Sequence, residues 1–152
     1  MSKNENSHRL RTGRFSSAGQ IYLVTVTTQG RVPVFADWVL GHLLVREMMG
    51  AEERRLACSL AWVVMPDHFH WLFKLGDGAL PTLIQRVKSK SAIAVNKATG
   101  CEGQLWQRGY HDKAVRKEED VLGFARYIVA NPLRAGLVSS IRQYPLWDAI
   151  WL

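Results

Sequence analysis

The stretch that most constrains the fold is residues 66–73, PDHFHWLF, in which two histidines alternate with aromatic rings. Successive side chains of a β-strand point to opposite faces, so His68 and His70 share one face and the three rings share the other. Strands that alternate in this way pack one face on a core and leave the other to solvent or a ligand. The segment therefore predicts a strand with an aromatic core face and a histidine-bearing face.

The rest of the chain alternates between strand patterns and the apolar periodicity of helices. The predicted elements are strand 21–27, helix 36–54, strands 56–65 and 69–75, helix 81–97, strand 111–116 and helix 118–130. The order β-α-β-β-α-β followed by a helix predicts an α+β, ferredoxin-like sandwich. In that fold the helices cover one face of an antiparallel sheet, and the open face carries the histidines.

Length and charge narrow the class of protein. With 152 residues and 47% apolar content, we expect a flexible basic arm over residues 1–18 and a single domain over residues 19–152. The formal net charge of +7 favours a polyanionic partner. No apolar run approaches the roughly 20 residues of a membrane helix, and the start of the chain lacks an apolar signal segment. We therefore expect a soluble, cytoplasmic, nucleoid-associated protein.

The two strand histidines are candidate metal ligands. Residues two apart in a strand are about 7 Å apart at the backbone, so two neutral imidazoles can converge on one divalent cation. A bare HxH pair equally fits two half-buried histidines with hydrogen-bond partners. No HExxH or HxHxDH pattern is present, which argues against a zinc hydrolase. Two imidazoles with an oxygen ligand favour Mg²⁺ or Mn²⁺ bound together with a phosphate.

The last predicted helix carries a tyrosine, Tyr127, beside its apolar stripe. Gly123, Tyr127 and Asn131 recur at intervals of four residues and therefore stack along one side of the helix. Next to a metal the phenol can attack a phosphodiester; otherwise it is an amphipathic tyrosine at the edge of the core. Spacing alone does not choose among the tyrosines of the chain. The competitors for this role are Tyr22, Tyr110 and Tyr144.

Three segments carry a resemblance to a known family: MPDHFHWLF at 65–73, LWQRGYHDKAVR at 105–116 and YIVANPLRAGLV at 127–138. In this order and spacing they resemble the single-tyrosine HUH transposases. The similarity is to the REP-associated tyrosine transposases, which occur as single-copy chromosomal genes. It extends from about residue 19 to residue 138, which is most of the chain.

The resemblance implies both the site and the reaction. His68 and His70 take the positions of the HUH metal ligands with Phe69 between them, and Tyr127 takes that of the nucleophile. Asn131 takes the third-ligand position, where related insertion-sequence enzymes have glutamine. The implied reaction is attack on the scissile phosphate, which gives a 5′-phosphotyrosine and a free 3′-hydroxyl, followed by reversal onto another 3′ end. The implied cofactor is a divalent metal ion, Mg²⁺ or Mn²⁺, and no nucleotide is consumed.

The implied substrate is a single-stranded repetitive extragenic palindrome (REP), folded as an imperfect hairpin with a short tetranucleotide beside its foot. The single-copy branch is implied to act as a monomer. Basic side chains are candidate phosphate contacts, and rings in one loop are candidates for stacking on unpaired bases. They are Arg9, Arg11, Arg14, Arg86, Lys88 and Lys90 for phosphates, and Trp106, Tyr110 and His111 for bases. The alternatives are solvated charges and, for Trp106, a core anchor.

A different class of function is a non-catalytic module that binds single-stranded nucleic acid, because ferredoxin-like sheets often present an open face to single strands. Such a face should carry stacking aromatic rings. Here it is predicted to carry His68 and His70, which favours metal chemistry. A domesticated relative that binds palindromes without cutting them would have the same residues, and the sequence does not distinguish it from an active enzyme.

Overall fold

A computed structural model describes residues 19–150, so the arm predicted at residues 1–18 lies outside the described residues. Five antiparallel strands form one sheet in the order β4-β1-β3-β2-β5. The strands are β1 (Ile21–Thr27), β2 (Ala57–Met65), β3 (His68–Leu75), β4 (His111–Val115) and β5 (Trp147–Ala149). The helices are α1 (Trp38–Glu53), α2 (Leu80–Thr99), α3 (Glu118–Val129) and α4 (Asn131–Arg134), with 3-10 turns at Gln29–Arg31, Val34–Ala36 and Ile141–Gln143. The β-α-β-β-α-β order with sheet order 4-1-3-2 confirms the predicted ferredoxin-like α+β fold.

Local sequence sets the helix ends. The Asp37 carboxylate caps α1 by accepting a hydrogen bond from the backbone N–H of Val39 at 3.0 Å. Gly100 ends α2 with a φ of 70°, a left-handed conformation that favours glycine. Helix α3 ends before Pro132 as predicted, but the chain continues into α4, because proline is tolerated in the first turn of a new helix. Within residues 19–150 no helix is long and apolar enough to cross a membrane.

The aromatic face of β3 lies in the core, as the alternation predicts. Phe69, Trp71 and Phe73 are completely buried. Helix α2 packs on this side of the sheet through Trp106, which lies edge-on to Phe69 and donates a hydrogen bond from Nε1 to Ser91 Oγ at 3.0 Å. Helix α1 packs against α2. The two predicted helices therefore cover one face of the sheet together.

The face that carries the histidines is open only in part. Leu23 of β1 lines a pocket with Gly123, Phe124 and Tyr127 of α3. Lys113 of β4, which pairs with Leu23, has its Nζ 5.0 Å from the centre of the Phe124 ring. Helix α3 lies on this face because it has an apolar stripe of its own to bury. The packing of α3 brings Tyr127 to the same side of the sheet as the histidines.

Strand β5 is an element that the sequence pattern does not predict, because three residues are too few to show a periodicity. It extends the sheet by pairing with β2, where Trp147 lies opposite Val63. The segment before it is anchored to the same strand. Tyr144 Oη donates a hydrogen bond to the carbonyl of Val64 at 2.5 Å, and the backbone N–H of Val64 donates to the carbonyl of Leu146 at 2.9 Å.

Candidate active site

Strand β3 holds the two histidines side by side. The ring centres of His68 and His70 are 4.9 Å apart, with the ring planes at 79°. In each ring Nδ1 already has a partner. His68 Nδ1 donates to Asp67 Oδ1 at 2.7 Å, and His70 Nδ1 is hydrogen-bonded to Thr25 Oγ1 at 2.8 Å. This pairing leaves Nε2 as the nitrogen of each ring that is available for a further ligand.

The partners of the two rings are of the kind that orient metal-binding imidazoles. Asp67 is itself fixed by Arg31, whose Nε lies 3.0 Å from Asp67 Oδ2. Partial burial raises the pKa of the Asp67 carboxyl, but the hydrogen bonds from His68 and Arg31 outweigh that effect and leave the pKa below its ordinary value. The carboxylate is therefore charged at neutral pH and accepts the Nδ1 proton of His68.

His70 is held in its uncharged form. Burial, followed by the electrostatic effects of His68 and Arg134, lowers the pKa of His70 to about 4. At neutral pH the ring is therefore unprotonated at one nitrogen, which is the form that binds metal ions.

The register of the sheet places a third histidine on the same face. His111 of β4 lies opposite Thr25 of β1, and Thr25 lies opposite His70 of β3. Residues directly opposite one another in a ladder project to the same side, so these three form a row across the strands. His111 is exposed and lies about 10 Å from His70 at the backbone, two strand spacings away. That is a suitable place for a nucleic-acid contact and too far for a shared metal.

Exposure distinguishes Tyr127 from the other tyrosines. Its side chain is 56% exposed, whereas Tyr22, Tyr110 and Tyr144 are each 8% exposed or less. A buried phenol is out of reach of a DNA backbone. Among the four tyrosines, exposure therefore favours Tyr127 as the candidate nucleophile.

Arg134 contacts Tyr127 directly. Its guanidinium carbon lies 3.9 Å from the centre of the Tyr127 ring, and its Nη2 donates a hydrogen bond to the backbone carbonyl of Tyr127 at 2.7 Å. The same positive charge contributes to the lowered pKa of His70. One arginine thus acts on the candidate nucleophile and on a candidate metal ligand.

The side of α3 around Tyr127 is as open as the i, i+4 spacing predicts. Tyr127 and Gly123 line a pocket of about 340 Å³ with Leu23. A Cβ atom added at Gly123 would meet no heavy atom within 4 Å outside its own helix. Asn131, one turn after Tyr127, is the first residue of α4 and is half-buried.

The donor set fits a divalent ion that completes its coordination with oxygen ligands. Within the described residues, no group of three or more His, Cys, Asp or Glu side chains is placed to hold a metal ion. Two imidazoles with available Nε2 atoms therefore need oxygen donors from elsewhere, and the Asn131 amide and a bound phosphate are the candidates. Oxygen-rich, incomplete protein coordination suits Mg²⁺ and Mn²⁺ better than a structural zinc ion.

The stacking roles predicted for two of the loop aromatics are wrong. Trp106 is 4% exposed, and its ring stacks on Phe35 with 5.4 Å between the ring centres. Tyr110 is 8% exposed. Both rings fill the core between the loop and the sheet, so neither presents a face to a base. The core-anchor alternative for Trp106 is the one that the structure supports.

The basic residues of α2 differ in what they can contact. Lys88 Nζ donates hydrogen bonds to the carbonyls of Gln107 and Gly109 at 2.8 and 2.9 Å, and burial lowers the pKa of its ammonium. The predicted phosphate contact of Lys88 is therefore corrected to a role in holding the loop. Arg86 is half-buried and Lys90 exposed, and both lie on the helix that packs on the face opposite the histidines. The arm residues Arg9, Arg11 and Arg14 lie outside the described residues.

Three residues of the site are missed by sequence reasoning. Thr25 is identified only once the register of β1 on β3 is known. Asp67 precedes His68 directly, and its role could have been suspected from that adjacency. Arg134 lies within the YIVANPLRAGLV segment, but no spacing rule predicts that it folds back onto Tyr127.

Comparisons with known proteins find relatives of this chain in sequence and in fold. The family model described as "Transposase IS200 like" matches residues 16–131. A REP-associated tyrosine transposase of Escherichia coli (strain K12) is 29% identical over 87 residues, which cover 56% of this chain and 50% of that protein. This chain thus spans about half the length of that relative. A Haemophilus influenzae protein, provisionally named a REP-associated tyrosine transposase, is 23% identical over 84% of this chain and 78% of its own length.

The fold also matches a solved structure. A REP-associated tyrosine transposase bound to a REP hairpin superimposes with a TM-score of 0.72 at 23% identity, over 88% of this chain and 79% of that chain. At this level of identity the match shows the fold, and it agrees with the sheet order and the helix placement described above.

Proposed function

The chain belongs to the IS200-like transposase family, and on that premise we propose that it cuts and rejoins single-stranded DNA through a covalent bond between Tyr127 and a 5′ phosphate. One observation carries the proposal. The exposed tyrosine of the chain lies on the sheet face that carries His68 and His70. A nucleophile and a pair of metal ligands on one open face are what this chemistry requires.

In the first step the Tyr127 Oη atom attacks the phosphorus of the scissile phosphodiester. The bond from phosphorus to the 3′ oxygen of the leaving strand breaks, the phenol loses its proton, and the leaving 3′ oxygen gains one. In the second step a 3′-hydroxyl attacks the phosphotyrosine, which reforms a phosphodiester and returns the phenol. The number of phosphate ester bonds is unchanged throughout, so the cycle needs no nucleotide.

The residues of the site support this sequence of steps. Asp67 and Thr25 fix the orientation of His68 and His70, so that both Nε2 atoms stay available. A divalent cation held by His68, His70 and the Asn131 amide would neutralise charge on the non-bridging phosphate oxygens. The pocket beside Gly123 leaves room next to Tyr127 for the strand that is attacked.

We propose a hairpin of the REP type as the substrate, because the curated relatives and the matching solved structure are proteins of that kind. Exposed His111 lies on the same face, in line with Thr25 and His70, and is a candidate contact for unpaired bases. The net charge of +7 supports binding of a polyanion. We expect the protein to act as a monomer.

The non-catalytic alternative requires stacking rings on the sheet surface. Strands β1, β3 and β4, all within the described residues, carry no Phe, Trp or Tyr on the histidine-bearing face, because Tyr22 and the β3 aromatics point to the core. Trp147 of β5 shares this face, but it is half-buried and its Nε1 donates to the carbonyl of Ile141. The loop rings Trp106 and Tyr110 are buried. These placements favour the enzyme over the binding module.

The decisive experiment captures the covalent intermediate. The protein is incubated with Mn²⁺ and a pool of single-stranded DNA hairpins with randomised flanks, and the mixture is then denatured. Wild-type protein should retain DNA, sequencing of that DNA should identify the cut site, and mass spectrometry should place the attached phosphate on Tyr127. Tyr127→Phe keeps the ring and its packing but lacks the attacking oxygen, so it should retain no DNA.

Tyr144→Phe is the matched control, because it removes the hydroxyl of a buried tyrosine from the same chain. It should still form the adduct. An adduct that persists in Tyr127→Phe, or that maps to another tyrosine, would overturn the assignment. Cleavage without any adduct would point to activated water as the nucleophile.

A further inference from the structure

Arg134 has no part in the steps above, yet it touches the nucleophile. It ends α4, seven residues after Tyr127, and the turn at Ala130 followed by the buried Pro132 folds the chain back on itself. This turn places the guanidinium carbon 3.9 Å from the centre of the Tyr127 ring and Nη2 2.7 Å from the Tyr127 carbonyl.

Capping of the helix end explains only part of this arrangement. The Tyr127 carbonyl is among the last four of α3, which have no partner within the helix, and arginine often binds such groups. A cap requires one N–H donor. It does not require the guanidinium to lie over an aromatic ring that is 56% exposed.

The Arg134 guanidinium can donate more hydrogen bonds than the one it makes to the Tyr127 carbonyl. Arginine has five N–H donors in a planar fork, and among residues 19–150 its one hydrogen bond uses Nη2, which donates to the Tyr127 carbonyl. Paired N–H groups of this kind bind two oxygens of one phosphate. Because the guanidinium carbon lies 3.9 Å from the centre of the Tyr127 ring, the guanidinium is near the attacking hydroxyl, beside which the attacked phosphate must lie.

We propose that Arg134 is a further catalytic residue, which binds the non-bridging oxygens of the scissile phosphate beside Tyr127. The inference rests on the proposed function. Attack by Tyr127 builds up negative charge on the phosphate oxygens, and a fixed cation next to the attacking atom stabilises that charge. Arg134 keeps its protons throughout, so no bond to it forms or breaks.

The test compares cleavage with binding in three variants, using the hairpin strand recovered from the covalent adduct. In single-turnover assays with protein in excess, Arg134→Gln and Arg134→Ala should cut about 100-fold more slowly than the wild type. Arg134→Lys keeps the charge but not the planar fork and should fall in between, at about 10-fold slower. The dissociation constant for the same strand should change less than about threefold, because most of the affinity comes from other phosphate contacts.

A second measurement separates catalysis from support of the helix end. Added methylguanidinium should raise the cleavage rate of Arg134→Ala at least about tenfold, since it can occupy the space of the missing side chain. It should leave the wild-type rate unchanged. A residue that only caps α3 would give variants that lose thermal stability and binding together, without rescue.

Arg126→Gln is the matched control, because Arg126 is an exposed arginine directly before Tyr127 that lines a different groove, with Ala149 and Ile141. It removes the same charge from the neighbouring helix α3 and should cut within about threefold of the wild type. If the wild type forms an adduct and Arg134→Gln cuts as fast, only this inference fails. If the wild type neither cuts nor forms an adduct, the proposed function is wrong, and the role of Arg134, which depends on it, is wrong as well.

Discussion

The two faces of strand β3 both carry aromatic rings, but in opposite surroundings. On the core face the one polar ring atom, Trp71 Nε1, donates to Ser59 Oγ at 2.8 Å inside the protein. On the other face His68 and His70 each use one nitrogen on a neighbour and keep the second available. Alternate residues of one strand therefore serve folding stability and the proposed metal binding. Changes on the core face should alter stability and leave metal binding intact, and changes on the histidine face should do the reverse.

The largest effect is expected from removing an imidazole. His68→Ala and His70→Ala should each lower the cleavage rate at least about 1,000-fold in Mn²⁺, because either change removes half of the protein's nitrogen ligands at the proposed metal site. Hairpin binding should largely persist, and the free energy of unfolding should fall by no more than about 1 kcal/mol for side chains that are half-buried. Single-turnover cleavage, filter binding and urea unfolding measure the three quantities.

Phe69→Ala is the control from the opposite face, one residue from both histidines. The ring is completely buried, so its loss should lower the free energy of unfolding by about 3–5 kcal/mol. The protein that remains folded should still bind Mn²⁺. A histidine variant that loses as much free energy of unfolding as Phe69→Ala, or that cuts at the wild-type rate, would contradict the assignment of stability to one face and chemistry to the other.

The alternation of residues 66–73 predicts both faces of β3, since a period of two admits only one arrangement once the strand exists. Helix caps and stops such as Asp37 and Gly100 are equally local, because each acts on the backbone at its own helix end. Features that depend on which strands become neighbours are not local. The bond from Thr25 to His70 joins residues 45 positions apart, and only the register of the sheet brings them together.

Burial is the other property that the sequence does not determine. Tyr110 is followed by the polar His111 and Asp112, and Tyr127 by apolar residues, yet Tyr110 is buried and Tyr127 is 56% exposed. The loop aromatics were expected to stack on bases because loops are usually exposed. Trp106 is buried instead, since Phe35 and Phe69 leave a gap in the core that its ring fills.

A smaller effect is expected from the residues that orient the imidazoles. Thr25→Val keeps a β-branched side chain but removes the oxygen bonded to His70 Nδ1, so the ring can turn away from its productive orientation. Changes of this kind typically cost 10- to 100-fold in metal affinity. We expect Mn²⁺ affinity to fall by about tenfold in calorimetric titrations, with little change in stability.

Thr27→Val is the matched control for Thr25→Val. Thr27 lies on the same face of β1, opposite His68, but Nδ1 of that histidine is bonded to Asp67 rather than to Thr27. Its replacement should leave the affinity for Mn²⁺ within about twofold. Equal losses in both valine variants would mean that the polarity of the face, and not the bond to His70, sets the affinity.

The smallest effect is expected on the core face, where the Ser59 hydroxyl is hydrogen-bonded to the Trp71 ring. The Thr25 hydroxyl has the same relation to the His70 ring on the opposite face. Ser59→Ala removes the oxygen that accepts the indole N–H of a completely buried tryptophan. A buried donor left without a partner costs about 1–3 kcal/mol, so the free energy of unfolding in urea should fall by roughly 1–2 kcal/mol.

Ser89→Ala is the control, because Ser89 Oγ accepts its bond from Gln85 on an exposed helix surface. This change should alter the free energy of unfolding by less than about 0.5 kcal/mol. Unlike Thr25→Val, Ser59→Ala should leave the affinity for Mn²⁺ at the wild-type value, because Ser59 acts only through the buried side of the strand. A loss of metal affinity in Ser59→Ala would show that packing under β3 sets the positions of the imidazoles, and that the two faces are coupled through the strand itself.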